Sequence, residues 1–140
     1  MIRNFLIFCV FLALVGCAAN AHQGVMDTGD ETQLQVRQMQ TRYFDTTDKK
    51  KAMECAIATL QDLGFVIDKA SLDLGTVSAT KLSGYNLRMT VNVVSRSGGR
   101  MMVRANAQFN ATVVNDPLPY QQFFDAYSKS MFLEAHLEDA

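Results

Sequence analysis

The sequence predicts an α+β fold, a two-layer sandwich in which an antiparallel sheet of about five strands carries two helices on one face, in the order β-α-β-β-β-β-α. Three observations predict it. Residues 87–94 and 101–111 alternate apolar and polar side chains, the period of a half-buried strand. Two other segments, one central and one closing, repeat apolar residues every three and four positions, the period of an amphipathic helix. Short glycine- and aspartate-bearing connections separate these segments at hairpin lengths.

The first strand is expected in "VRQMQTRYFD", residues 36–45, with Met39, Thr41 and Tyr43 on one side and Gln38, Gln40 and Arg42 on the other. Thr46, Thr47 and Asp48 then signal a helix start. In "DKKKAMECAIATLQDLG" a stripe of Met53, Ala56, Ile57, Leu60 and Leu63 faces the core, and Gly64 ends the helix. Cys55 falls off that stripe, which predicts a thiol at the helix flank, within reach of reagents and a candidate for an intermolecular disulfide; its plainer reading is a small, partly buried side chain.

"FVIDKA" and "GTVSATKL" read as two strands joined through Ser71–Leu74, with Gly75, Val77 and Ala79 opposite Thr76, Ser78 and Thr80. In the long hairpin that follows, Leu87, Met89, Val91 and Val93 oppose Arg88, Thr90 and Asn92. Met101, Val103, Ala105, Ala107, Phe109 and Ala111 oppose Met102, Arg104, Asn106, Gln108 and Asn110, and "SRSGGR" is the turn. One side is dry and the other wet. The closing helix starts near Asp116 and two prolines. Tyr120, Phe123, Phe124, Tyr127 and Met131 form its buried stripe, which Phe132 and Leu133 widen.

The amino terminus carries a different message. Met1-Ile2-Arg3-Asn4 is a short positive start, Phe5–Val15 is an apolar run, and small residues follow, the order of a secretory signal peptide. The run is eleven residues, whereas a helix needs roughly 20 to cross a bilayer core. Leu14-Val15-Gly16-Cys17 resembles the lipobox of bacterial lipoproteins, in which the thiol accepts a diacylglycerol, the chain is cut before the cysteine and the new amine is acylated. Ala19-Asn20-Ala21 offers a competing cut by ordinary signal peptidase, which would release a soluble periplasmic form. Two or more acyl chains on Cys17 would hold the protein stably at a membrane. Ala18, where retained lipoproteins carry aspartate, implies by the same resemblance the periplasmic face of the outer membrane.

Three segments result: a leader at 1–16, the lipidated Cys17 with a polar tether to residue 35, and one domain at 36–140. Removing residues 1–16 from the 140-residue chain leaves 124, enough for one modest core. The tether "AANAHQGVMDTGDETQLQ" spans roughly 23 Å as random coil. The precursor's net charge is -1, and loss of Arg3 makes it -2, with no basic block to bind nucleic acid. With Cys9 removed and Cys17 alkylated, Cys55 stands alone and no internal disulfide can form.

"TRYFDTTDKKKAMECAIATLQDLGFVID" followed by "LGTVSATK" resembles a class of small proteobacterial outer-membrane lipoproteins, over most of residues 41 to 133. More distantly, a helix ending "LQDLGF" before a hairpin, a long hairpin and a closing helix is similar to the helix-grip domains of BamC, a lipoprotein accessory of the β-barrel assembly machine. That likeness implies a periplasmic scaffold or adaptor role within an envelope protein complex and supplies no catalytic residues.

Chemistry-bearing motifs are not evident: the chain contains no H-E-x-x-H, C-x-x-C, G-x-S-x-G or phosphate loop. His22 has no nearby co-ligand, and His136 has only Glu134 and Glu138 beside it, so neither a metal nor a catalytic site is expected. Asp45, Asp48, Asp62, Asp68 and Asp73 sit at helix ends and turns, where carboxylates satisfy free amides. No cofactor is expected beyond the covalent lipid. The leading expectation is a non-enzymatic binding or scaffold module whose partner surface is the wet sheet face with Arg88, Asn92, Arg104, Asn106 and Gln108; its plainer reading is a solvated face. The alternative is a carrier of an apolar ligand between helix and sheet, suggested by eight methionines and the wide closing helix. The sequence leaves the oligomeric state open.

Overall fold

The computed structural model of the protein describes residues 33–82 and 86–137. The leader, Cys9, the lipobox with Cys17, the Ala19-Asn20-Ala21 site and His22 lie outside the described residues, as do the side chains of Glu134 and His136. The fold is α+β: among the described residues there are six antiparallel strands and three helices, the sheet open and not closed into a barrel.

The expected first strand is shorter than the sequence predicts. A helix, α1, occupies residues 33–39, and β1 is only Thr41–Phe44. Gln33, Leu34, Gln35, Arg37, Gln38 and Met39 are all strong helix formers. Val36, Met39 and Gln40, spaced three and four apart, are its less exposed positions, and the Gln40 amide donates to the Val36 carbonyl at 3.0 Å. Within β1, Arg42 and Phe44 turn toward the helices and Thr41 and Tyr43 away from them, because they pair with Val103, Met101, Arg104 and Met102 respectively.

Helix α2, Lys49–Asp62, begins where expected. The Asp48 carboxylate accepts the Lys51 amide at 2.9 Å, a cap of about 1 kcal/mol. It ends in a Schellman motif: the Phe65 amide donates to Leu60 and the Gly64 amide to Gln61, both at 2.9 Å, with Gly64 at φ 82°. Phe65, thus turned back, is buried beside Leu60 in the core.

Strands β2 (Val66–Ser71), β3 (Thr76–Leu82), β4 (Asn86–Arg96) and β5 (Arg100–Phe109) form two hairpins, and the sheet order is β1-β5-β4-β3-β2, with β6 (Thr112–Val113) also on β5. Gly75 belongs to the β2–β3 turn, outside the strand it was expected to open. There its carbonyl accepts the Val93 amide at 2.7 Å, and a Cβ on it would stand 2.2 Å from the Val93 carbonyl oxygen. Only glycine fits that approach.

The dry face of the sheet is the expected one: Val77, Ala79, Met89, Val91, Val93, Met101, Val103, Ala105 and Ala107 are all buried. Phe109 is the departure on this side: it ends its strand exposed, with Ala111 beyond it in the turn. Helix α3, Leu118–Leu137, lays Tyr120, Phe123, Phe124 and Tyr127 on this face. Phe123 stacks on Tyr127 at 5.7 Å, and Phe44 meets Tyr127 edge-on at 4.8 Å.

Cys55 corrects the expectation of a reachable thiol. It is 2 % exposed and part of the core. The α2 stripe was drawn for one neighbour, the sheet, but α2 has two. Ala52, Cys55, Ala56 and Thr59 widen its buried arc with small side chains, while Ile57 and Leu63 are only partly covered. On the α3 side, the Tyr127 hydroxyl donates to the Ala52 carbonyl at 3.0 Å. In the folded chain the thiol is not placed to pair with a second molecule.

Candidate interaction surface

The sheet face opposite the helices is built from the positions that alternate outward. Antiparallel partners share a face, so the register sorts them into rows. Arg88 lies opposite Gln108 and Thr80, Thr90 opposite Asn106 and Ser78, and Asn92 opposite Arg104 and Thr76. Val94 and Tyr43 flank Met102, and Arg96 faces Arg100. The five residues expected there, Arg88, Asn92, Arg104, Asn106 and Gln108, therefore come together on one face. Asn92, Arg104 and Asn106 are half-buried within it, and Arg88 and Gln108 are exposed.

Hydrogen bonds link the rows across strands. Thr76 Oγ1 donates to Asn92 Oδ1 at 2.9 Å, and Arg104 Nε donates to Thr41 Oγ1 at 3.3 Å. At the bulge in β2, Thr80 Oγ1 donates to Asp68 Oδ2 at 2.7 Å. These contacts restrain Asn92 and Arg104, and restraint lowers the entropy lost on binding.

The face also contains residues outside the expected polar set. Met102 points outward yet is only 6 % exposed, because Tyr43 and Val94 stand beside it and Arg96 Nη2 lies 3.5 Å from its sulfur. The Arg100 guanidinium sits 5.4 Å from the centre of the Tyr43 ring. A small apolar step thus interrupts the polar rows. Its sequence signal was the alternation of Thr41 and Tyr43, which becomes informative only once β1 is known to pair with β5.

Charge is uneven here. Lys69, Arg88, Arg96, Arg100 and Arg104 all lie on this face, with Asp68 as its carboxylate. Among the described residues none of these five cations forms an ion pair; the exposed pair Lys50–Glu54 lies on α2. At one end, Asn86, Arg88, Gln108, Asn110 and Ala111 line a hollow of about 260 Å³. Among the described residues its lining side chains offer a guanidinium and three amides and no carboxylate. Asn110 and Ala111, at φ 45° and 73°, make the two-residue turn into β6.

On the helix side the interval between α3 and the sheet is filled by Tyr120, Phe123, Tyr127, Met89 and Met101. Phe132 and Leu133 lie outside it, in a shallow apolar hollow of about 420 Å³ with Ser128 and Lys129. Burial pushes the Tyr127 hydroxyl well above the ordinary phenol range, and the neighbouring Cys55 thiol adds to the effect. Among the described residues, no three His, Cys, Asp or Glu side chains converge as metal ligands, and no helix is long and apolar enough to cross a membrane. No family model matches the chain, and no curated protein matches it.

Proposed function

We propose that the protein is an outer-membrane-anchored lipoprotein, acylated at Cys17, whose periplasmic α+β domain is a non-enzymatic binding module of the cell envelope. The observation that carries this reading is the asymmetry of the sheet. One face is consumed by two helices and an apolar core. The other offers cross-linked polar rows around Arg88, Asn92, Arg104, Asn106 and Gln108, with an apolar step at Tyr43, Met102 and Val94. Polar rows beside a small apolar step have the mixed composition of a non-obligate protein interface.

Two measurements test the reading. Metabolic labelling with a fatty acid should mark the wild-type chain and not Cys17→Ser; an unlabelled wild type removes the anchor. A photo-crosslinker at Asn92 or Asn106 in the intact envelope should give a discrete adduct that a probe at Gln23 does not. A sheet face without adducts, in a protein that brings down a stoichiometric lipid, would favour the carrier reading, for which the hollow at Phe132 and Leu133 is the relevant observation.

A further inference from the structure

We infer that the outer sheet face recognises an acidic, extended segment of a partner protein, with one carboxylate seated in the hollow beside Arg88; the inference rests on the binding-module reading above. The charge balance is the starting point. Five cations against one carboxylate put this face at +4, while the chain without residues 1–16 is at -2, so its remainder carries -6. A near-neutral protein thus leaves a net positive field on the face its own helices leave open, because that face holds few of its carboxylates.

The arrangement along the strands is specific. Arg88 and Arg104 are four residues apart in register, and Arg88 and Arg96 eight. At roughly 3.3 Å per residue Arg104 and Arg96 fall about 13 Å and about 26 Å from Arg88 along the strand direction, Arg104 one strand to the side on β5. Tyr43, Met102 and Val94 lie between Arg104 and Arg96. An extended peptide follows that direction with carboxylates at its ends and an apolar side chain between them. Arg96 and Arg100 stand directly opposite one another, and like charges in that position destabilise a sheet. A bound carboxylate relieves that repulsion. The amides of Asn86, Gln108 and Asn110 around Arg88 are directional donors, suited to a single planar carboxylate more than to a diffuse anionic surface.

The test titrates the full-length chain, purified from membranes in neutral detergent, into a dye-labelled glutamate-rich peptide with a central leucine, followed by fluorescence anisotropy. A glutamine-substituted peptide and phosphatidylglycerol vesicles are titrated in parallel. The acidic peptide should bind and the glutamine peptide should not. Arg88→Glu and Arg104→Glu should each weaken binding about fivefold or more, and added salt should weaken it further. Lys50→Glu, on α2, should change little. If either reversal lowers the melting temperature, Arg88→Gln and Arg104→Gln carry the comparison. Equal binding of both peptides, no binding of either, unchanged affinity in the Arg88 and Arg104 variants, tighter binding to vesicles, or self-association of the chain lost in the same variants would each overturn the inference. A crosslink from Asn92 that persists in Arg88→Glu alongside any of these results would leave the binding-module reading standing and remove only the acidic segment.

Discussion

The Tyr120 hydroxyl accepts the Ala107 amide at 3.3 Å, closing a gap in the edge of β5 that no strand covers. β1 covers residues 101–104 of that edge and β6 covers 108–109. Between them the Ala105 amide donates to the Gln40 carbonyl at 2.9 Å, and the Ala107 carbonyl accepts the Val114 amide at 2.9 Å. The Tyr120 hydroxyl also donates to the Val114 carbonyl at 2.7 Å and accepts the Gln40 side-chain amide at 3.3 Å. A side chain thus completes a sheet edge that would otherwise expose a pairing template.

Tyr120→Phe should therefore cost about 1–3 kcal/mol, the penalty of leaving buried polar partners unsatisfied. Urea denaturation measures the loss. Hydrogen exchange at the Ala107 amide should accelerate more than at Ala105, which keeps its Gln40 partner. Equal stability of the variant would show that water replaces the hydroxyl.

The same residues mark where the fold was and was not legible in the sequence. Alternation identified Val91, Val93, Val103 and Ala105 as core because both faces of the hairpin differ in polarity, which is a local property. Alternation groups Gln40 with Gln38 and Arg42 without saying which side is inner, and Gln40 is buried because the end of α1 delivers it to Tyr120, eighty positions away in sequence. Met102 has the correct parity and the wrong expected environment, since its cover comes from β1 and an arginine. The candidate surface was half legible for the same reason: Arg88, Asn92, Arg104, Asn106 and Gln108 follow from alternation, but Tyr43, Lys69 and Arg100 join them only through strand order.

Cys55 should resist a thiol reagent in the native protein and react as denaturant opens the α2–α3 contact. Peptide mapping after alkylation reads the result. Its reactivity should track global unfolding, because the thiol lies in the core and not at a fraying end. Modification at the rate of an unfolded thiol in the absence of denaturant would contradict its burial.

Tyr127 should make the fold sensitive to alkali. Its folded-state proton affinity is raised, first by burial and then by Cys55, while the unfolded chain ionises near about pH 10. Above that pH the unfolded state sheds a proton that the folded state keeps. The stability is intact below the unfolded value and falls as pH climbs toward the folded one, by up to about 1.4 kcal/mol per pH unit from this group. Tyr127→Phe should lose the hydrogen bond to Ala52 at neutral pH but show a shallower alkaline decline. Denaturation at about pH 8 and about pH 11 separates the two effects; parallel declines in both proteins would assign the alkaline loss to other groups.

Ala111→Gly should stabilise the protein. Asn110 and Ala111 both have left-handed φ angles, 45° and 73°, in a two-residue turn between Phe109 and Thr112, the pattern of a type I′ hairpin. Asparagine suits the first position, but the second is ordinarily glycine, and an L-residue with a Cβ pays about 1–2 kcal/mol to sit there. Glycine would remove that strain and lose about 0.5–1 kcal/mol through the greater freedom of the unfolded chain, so the net gain should be roughly 0.5–1 kcal/mol. Thermal denaturation should show it as a rise in Tm. Ala111 lines the hollow beside Arg88, and its methyl narrows a site that glycine would widen. If the variant gains stability while binding the acidic peptide less tightly, the strained alanine serves the shape of the hollow; if it gains stability and binds equally well, the strain belongs to the turn alone. A variant less stable than the wild type would show that the turn does not hold Ala111 in the left-handed region.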